Sequence, residues 1–329
     1  MDNFHFSVEL TSGSWRSKSG QWFMAFPWCV GHLILGLLVY LSPNMRNLEL
    51  VIALSGLPFL SLWYFLPESP RWLLSKGKTE EAIKVLKLAC KWNKKPLSNL
   101  KDVRIDQAEA NVKTGSIKDL FIYPAVRRNT ICMLVCWFAV MMGYYGLIYN
   151  TPAFDWNVYL VFIFPGILGI PQSIVLPFIE NRLGRKLVIT ISLFLTGTLL
   201  LLTAVVPKGL PVIILAWSGT AICGFAAMGC YTYTKELFPT VLRTTALGTA
   251  SGAARVGSLL SPFIAMLDNT SPVLPLIIYG AVLFIAGIFS LWLWPETNRK
   301  KMPETLEEAE RVALTRNPWV QSCCNNSGN

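Results

Sequence analysis

The sequence predicts an all-α, polytopic membrane protein, because it is rich in apolar residues, poor in charge and divided into helix-length apolar stretches. Of its 329 residues, 53% are hydrophobic and 15% are charged, whereas a soluble domain has about a quarter charged residues. Eight stretches approach the roughly 20 residues that a helix needs to cross a bilayer. They lie at about 21–41, 48–66, 130–149, 157–178, 187–206, 211–232, 244–267 and 274–294.

The distribution of basic residues predicts the orientation of these spans. If 21–41 starts from the cytoplasm, 26 of the 29 Lys and Arg residues lie in inner segments and only Arg46 and Lys208 lie in outer loops. The remaining one, Arg255, lies inside a span. Such a positive-inside bias predicts that both termini are cytoplasmic. The net charge of +10 is then explained by topology, and no nucleic-acid partner is predicted.

A pair of charged motifs occurs twice along the chain. One Glu–Arg pair precedes a span, in ELTSGSWR and ELFPTVLR, and a second follows a span, in PESPR and PETNR. In the first copy the four residues are Glu9, Arg16, Glu68 and Arg71. Their counterparts, 227 or 228 residues later, are Glu236, Arg243, Glu296 and Arg299. This constant register indicates an internal duplication.

The spacing within each motif suggests what the charges do. Residues seven apart lie on one face of a helix and can pair, and the proline and glutamate of PExxR suit the first turn of a new helix. One copy alone is explained most simply by interfacial anchoring. Because both pairs recur in both halves, we interpret them as an intracellular latch between two bundles.

The duplication also predicts the domain organisation. Four spans precede the second copy and none precedes the first, so we expect an architecture of twelve helices in two halves, of which this chain lacks the first four. The predicted segments are the last two helices of an N-terminal bundle at 1–66, a cytoplasmic central loop at 67–129, a C-terminal six-helix bundle at 130–298 and a cytoplasmic tail at 299–329. Within the loop, apolar residues at helical spacing predict an amphipathic helix over 78–95.

Six segments carry a resemblance to a known family. They are PESPRWLLSKGKTEEA (67–82), WFAVMMGYYGLIYN (137–150), NRLGRK (181–186), YTKELFPTVLRTTALG (233–248), ARVGSLLSPF (254–263) and PET (295–297). In these the chain resembles the major facilitator superfamily and, within it, the organic-ion transporters, which carry organic cations, organic anions and carnitine. The resemblance implies a secondary carrier of the plasma membrane that works by alternating access.

The resemblance also bears on particular residues. NRLGRK corresponds to a gating loop, which adds Arg182 and Arg185 to the latch, although the family's Asp is Asn181 here. An acidic residue that is usual in the 157–178 span is Gly169 in this chain. The acidic partner of the gating loop is thus lost or replaced by the neighbouring Glu180, and the carboxylate usual in the 157–178 span is absent.

Arg255 is the most informative candidate for substrate binding. It lies near the middle of the 244–267 span among small residues, where a charge costs several kcal/mol unless it is paired or faces water. Two interpretations remain open: Arg255 contacts the substrate, or it pairs with a buried carboxylate or carbonyl. By the resemblance, anion and carnitine transporters carry Arg at this position and cation transporters often carry Asp. A carboxylate-bearing substrate is therefore favoured.

Three tyrosines match positions that line the substrate cavity of the resembled family: Tyr144, Tyr145 and Tyr231. Aromatic faces suit bulky organic ions through stacking or cation–π contact, but aromatic residues in membrane helices also serve as packing groups and interface anchors. His32, in the first span, could relay protons, although packing is the favoured interpretation because its neighbours offer no partner.

Other function classes find no support in the sequence. There is no P-loop, HExxH, GxSxG or GxGxxG motif, and no CxxC or Cys/His cluster, so neither an enzyme nor a cofactor or metal is predicted. The expected partners are a small organic ion and the bilayer. Two alternatives remain: a non-transporting isoform, fragment or regulatory subunit, and a sugar-porter-like carrier. Against the latter, the 130–149 span lacks the paired glutamines that a sugar porter would be expected to show.

Overall fold

The computed structural model describes residues 14–42, 44–65, 68, 70, 73, 78–92, 116–150, 158–207, 209–271 and 273–297. Over these residues the regular structure is helical, with no strand. The α-helices are α1 (Ser14–Leu41), α2 (Met45–Phe65), α3 (Thr79–Trp92), α4 (Asp119–Ile122), α5 (Pro124–Asn150), α6 (Val158–Leu183), α7 (Arg185–Val205), α8 (Leu210–Leu237), α9 (Thr240–Ala265) and α10 (Leu274–Leu293). A 3₁₀ turn, Met266–Asn269, follows α9. The predicted all-α class is confirmed.

The eight long helices coincide with the eight predicted spans. Several extend beyond the apolar stretch, as α5 does by including Arg127 and Arg128, because a helix continues its backbone hydrogen bonds into the interfacial region. Within the described part of the chain, the six helices α5 to α10 contain segments long and apolar enough to cross a membrane. The apolar part of α1, Ala25–Leu41, is shorter.

The chain forms two compact units, and the first comprises Met1–Met24 and Leu38–Lys113. It contains α3, which corresponds to the amphipathic helix predicted at 78–95. Ala82 is buried in α3 whereas Lys84 and Lys87 are exposed. The helix has Glu80 and Glu81 in its first turn and Lys91 in its last, which complements the helix dipole.

The second unit comprises Ala25–Leu37 and Thr114–Asn329. In it, α5 packs against α8, α9 and α10, and α7 packs against α8 and α10. Large side chains such as Trp137 and Tyr279 are fully buried among these helices. The indole N–H of Trp137 donates a hydrogen bond of 3.1 Å to Thr234 Oγ1. This pairing meets the requirement that buried polar groups find partners inside the protein.

The closest helix crossing in this unit joins α5 to α9. Gly257 lies directly against the backbone of Phe138, and the amide nitrogen of Met142 is also near. The hydroxyl of Ser261 donates to the carbonyl oxygen of Met142 at 2.9 Å, and Tyr279 donates to the carbonyl oxygen of Ser261 at 2.7 Å. Small residues let membrane helices approach, so Gly257 and Ser261 join α5 closely to α9, the helix that carries Arg255.

The Ala25–Leu37 segment of α1 packs on α6 through small residues. A Cβ added at Gly166 would lie 2.8 Å from the carbonyl oxygen of Cys29, and one at Gly169 would lie 2.5 Å from Cys29 Sγ. One added at Gly36 would lie 2.5 Å from Ile163 Cγ1. The first predicted span therefore contributes directly to the surroundings of α6.

We expect Gly257→Ala to weaken the α5–α9 crossing. The added methyl would overlap the carbonyl oxygen of Phe138, and overpacking of this kind costs about 1–3 kcal/mol. The measurement is the thermal unfolding midpoint of the purified protein in detergent. Gly248→Ala is the matched control on the same helix, because a Cβ there meets no neighbouring atom. Equal midpoints for the two variants would contradict the assigned crossing.

Candidate functional site

A cavity of about 150 Å³ lies in the second unit, lined by residues of α1, α5, α6, α8 and α9. Much of its wall is aromatic: Trp28, Tyr144, Tyr145, Phe164, Trp217 and Tyr231. Among the described residues that line it, Arg255 is the one charged side chain. The structure thus places together the four residues that the sequence indicated for substrate binding, Arg255, Tyr144, Tyr145 and Tyr231.

Arg255 lies on α9 among small residues of the cavity wall, including Ser251, Ala254 and Ser258. Over the described part of the chain, no carboxylate lies within ion-pair distance of its guanidinium. Tyr231 lines the same cavity. The alternative of an internal ion pair thus finds no partner among the described carboxylates. An unpaired charge at this depth requires water or an anionic ligand.

The tyrosines are held by neighbouring rings. Tyr231 meets Trp137 edge to face, with ring centroids 4.4 Å apart. Tyr144 and Tyr145 meet edge to face at 5.6 Å. Edge-to-face contacts fix ring orientation because the positive edge of one ring meets the negative face of the next. The aromatic wall is therefore preorganised.

The structure adds cavity residues that the sequence analysis missed, notably Phe164 and Gln172 of α6 and Trp217 of α8. The rings of Phe164 and Trp217 stack with centroids 3.3 Å apart. These residues could not be identified from the sequence, because the sides of α6 and α8 differ little in polarity; α6 also contains three prolines, Pro165, Pro171 and Pro177. A helix without a polar face does not reveal which side lines a cavity.

Two other candidate positions have clear surroundings. Gly169 lines the cavity beside Cys29, so the position at which the family resemblance implies an acidic side chain carries none. His32 is half-buried, with Nδ1 3.0 Å from the carbonyl oxygen of Trp28. Its ring centroid is 5.0 Å from that of Trp28, and it does not belong to the cavity wall. Its surroundings agree with the packing interpretation.

A second cluster of polar contacts lies at helix ends and not within the spans, where α7 begins and α8 ends. Arg185 Nη1 forms an ion pair with Glu236 Oε1. The hydroxyl of Thr297 donates to Glu236 Oε2 at 3.0 Å. The ion-pair partner of Glu236 is therefore Arg185 of α7. The seven-residue spacing had suggested Arg243, but α8 ends at Leu237 and α9 begins at Thr240, so Glu236 and Arg243 do not lie on one helix.

Glu296 of the PETNR motif caps α7. Its Oε1 accepts hydrogen bonds from the backbone N–H of Arg185 at 3.1 Å and from that of Thr297 at 3.0 Å. Gly184, just before the helix, has φ = 92°, which favours glycine. A Cβ there would lie 2.8 Å from Glu296 Oε2. A carboxylate at a helix N-terminus satisfies free N–H groups and complements the helix dipole.

For the remaining latch residues the structure gives at most the exposure of the side chain. Arg182 and Glu68 are exposed and Arg243 is half-buried. Arg16 lies in α1, but its side chain is not described, and Glu9, Arg71 and Arg299 lie outside the described residues. The structure therefore brings together Arg185, Glu236 and Glu296, and it adds Thr297, which the sequence analysis had not singled out.

Known proteins resemble this chain over nearly its whole length. The profile of the family described as "Sugar (and other) transporter" matches residues 6–312. An organic cation transporter protein of Drosophila melanogaster is 34% identical over 319 residues, which cover 92% of this chain and 57% of the relative. Organic anion transporter 3 of Oryctolagus cuniculus is 34% identical over 306 residues, or 88% and 55% of the two chains. The chain thus spans slightly more than half the length of these relatives.

Solved structures show the same fold. The proton:xylose symporter XylE, described as a major facilitator superfamily protein and bound to 6-bromo-6-deoxy-D-glucose, superposes with a TM-score of 0.62. The match has 22% sequence identity and covers 94% of this chain and 70% of that one. The inward-open XylE from E. coli gives a TM-score of 0.56 at 19% identity, covering 94% and 68%. The comparison establishes the fold and leaves the substrate to other arguments.

We expect Glu296→Ala to destabilise the second unit, because it removes the acceptor for the backbone N–H groups of Arg185 and Thr297. Loss of such a cap costs about 0.5–2 kcal/mol. The thermal unfolding midpoint should fall relative to the parent protein. Glu68→Ala is the matched control, since Glu68 is the equivalent residue of PESPR and is exposed. If Glu296→Ala left the midpoint unchanged, the cap would contribute nothing to stability.

Proposed function

This chain belongs to the sugar (and other) transporter family of the major facilitator superfamily, a family of carriers and not of enzymes, and from that premise we propose that it moves small organic anions across a membrane. The motion would be alternating access, in which a site between helical bundles opens to one side and then to the other. The relatives reported above include both organic cation and organic anion transporters at equal identity. The choice of an anion therefore depends on the cavity.

The observation that carries the proposal is the guanidinium of Arg255 in an aromatic cavity that has no acidic side chain among its described lining residues. A cationic substrate would bring a second positive charge next to Arg255, and like charges in a low-dielectric site repel. A carboxylate instead neutralises the guanidinium and accepts two parallel hydrogen bonds from it. The charge at the cavity wall therefore supports an anionic substrate.

The aromatic wall supports a substrate with an apolar or cationic part beside its carboxylate. Tyr144 and Tyr145 present ring surfaces that can stack on an aromatic group, and tyrosine rings also attract quaternary ammonium groups. A carnitine-like zwitterion, which carries both a carboxylate and a quaternary ammonium, fits this arrangement as a second substrate class. A neutral sugar makes no use of the charge of Arg255.

We further propose that the cluster of Arg185, Glu236, Glu296 and Thr297 acts as the latch of the carrier at its cytoplasmic end. The ion pair of Arg185 and Glu236 is only slightly exposed, with side chains 12% and 13% accessible. Alternating access needs one end of the helices to separate and rejoin, and a partly buried ion pair has two discrete states, made and broken. The counterparts in the first half, Glu9, Arg16, Glu68 and Arg71, would form an equivalent latch. The carrier would lie in the plasma membrane, with both termini in the cytoplasm.

We expect Arg255→Ala to reduce the affinity for carboxylate ligands at least tenfold, because it removes the one charged group of the described cavity wall. Binding of radiolabelled 5-phenylpentanoate to the purified protein in nanodiscs measures this directly. Arg255→Lys should retain part of the affinity, since it keeps the charge without the two-pronged hydrogen bonding of Arg. Arg182→Ala is the matched control, because Arg182 is exposed and outside the cavity wall.

Uptake of the same ligand into proteoliposomes then separates transport from binding. Uptake that depends on Arg255 supports a carrier. Binding without uptake would favour the alternative of a non-transporting or regulatory chain. If the affinity for 5-phenylpentanoate were unchanged in Arg255→Ala, the anion proposal would be wrong.

A further inference from the structure

The polar side chains that line the cavity divide into those that already make hydrogen bonds within the protein and those that do not. The hydroxyls of Ser173, Thr220 and Ser258 donate to carbonyl oxygens of their own helices at 2.7, 3.0 and 2.9 Å. Gln172 and Ser251 also line the cavity, but their side chains have no hydrogen-bond partner among the residues the structure describes. These two uncharged groups are therefore available to a ligand.

Ser251 lies four residues before Arg255, one turn along α9, so it shares the face that carries the guanidinium. Gln172 is different because it belongs to α6. Its amide lies over Gly224 of α8: a Cβ added at Gly224 would be 2.5 Å from Gln172 Nε2 and 2.8 Å from Oε1. The three nearest atoms to that Cβ all belong to the Gln172 side chain. The missing side chain at residue 224 is thus what leaves room for the amide.

Gln172 is half-buried, and confining its side chain beside Gly224 reduces its rotamer freedom. A hydrogen bond from a ligand to the amide offsets this cost. The amide supplies donors at Nε2 and an acceptor at Oε1 but no charge. It is therefore suited to a neutral polar group, and it does not discriminate anions from cations as Arg255 does.

We propose that Gln172, seated on Gly224, is a specificity-determining residue that hydrogen-bonds a neutral polar group of the substrate while Arg255 holds its carboxylate. This inference rests on the proposed function and narrows it. Because the two anchors are on different helices, a ligand that reaches both must be bifunctional. The preferred class is an organic anion that carries an amide, carbonyl or hydroxyl separated from its carboxylate, with an apolar group against the aromatic wall.

Two matched probes test this preference. N-Benzoyl-β-alanine has an amide between its phenyl ring and its carboxylate, and 5-phenylpentanoate replaces that amide by two methylenes at the same chain length. We expect the parent protein, in nanodiscs, to bind N-benzoyl-β-alanine more tightly. Gln172→Leu should weaken binding of the amide probe about tenfold, the effect of leaving one ligand polar group unpaired, and change 5-phenylpentanoate binding less than about twofold.

A second variant tests the seat of the amide without removing it. Gly224→Ala should push the Gln172 amide out of place and weaken the amide probe to a similar extent. In the Gln172→Leu background, Gly224→Ala should have little further effect on the amide probe, because both changes act through one side chain. Gly248→Ala is the matched glycine control, since a Cβ at Gly248 meets no neighbour. Retained binding of 5-phenylpentanoate shows that each variant is folded.

The outcomes separate this inference from the proposed function. Selective loss of the amide probe in Gln172→Leu, together with non-additivity with Gly224→Ala, supports the inference. Equal losses for both probes, or no loss for either, overturn it while the Arg255-dependent binding of both probes leaves the proposed function standing. If the parent protein binds neither probe, the proposed function fails and this inference fails with it.

Discussion

The need to satisfy a positive charge within a membrane span is the constraint on which the cavity depends. A guanidinium at this depth is costly unless water, an anion or a carboxylate accompanies it, and no described carboxylate lies at ion-pair distance from Arg255. The close crossing at Gly257 joins α9 to α5, and Arg255 of α9 lines the same cavity as the tyrosines of α5. One helix, α9, therefore combines close packing against α5 with a charged side chain at the cavity wall.

At the start of α7 the same physical problem is solved internally. The guanidinium of Arg185 pairs with Glu236, and the backbone N–H of Arg185 donates to Glu296. Thr297 connects those two carboxylates by donating to one through its hydroxyl and to the other through its backbone N–H. The charges of this cluster are thus satisfied by partners within the protein, whereas the guanidinium of Arg255 faces the cavity. This contrast separates the Arg185 cluster from a side chain that is available to a ligand.

The sequence predicted the helices well because spanning a bilayer requires long apolar segments, and their lengths can be read directly. It also indicated Arg255 and the three tyrosines of the cavity, since a charge within a span and a specific motif are local signals. It did not indicate Gln172, Phe164 or Trp217. In water the buried face of a helix stands out against a polar one, but a membrane helix such as α6 is apolar towards lipid and protein alike. The partner of Glu236 was missed because the seven-residue spacing was interpreted as one continuous helix, whereas α8 ends at Leu237 and α9 begins at Thr240.

The chain is about equally identical to organic cation and organic anion transporters because most residues encode the helical scaffold and only a few line the cavity. Most of the sequence encodes length, apolar character and close helix packing, and these are needed whatever the substrate charge. In the proposed function, substrate charge is selected by a few side chains in the cavity, of which Arg255 is the charged member among the described lining residues. Neutral polar groups such as the Gln172 amide contribute less to overall affinity for an anion, because they lack a full charge. They can nevertheless discriminate strongly between anions of the same charge, since a site that offers a hydrogen bond rejects a ligand that leaves it unmade.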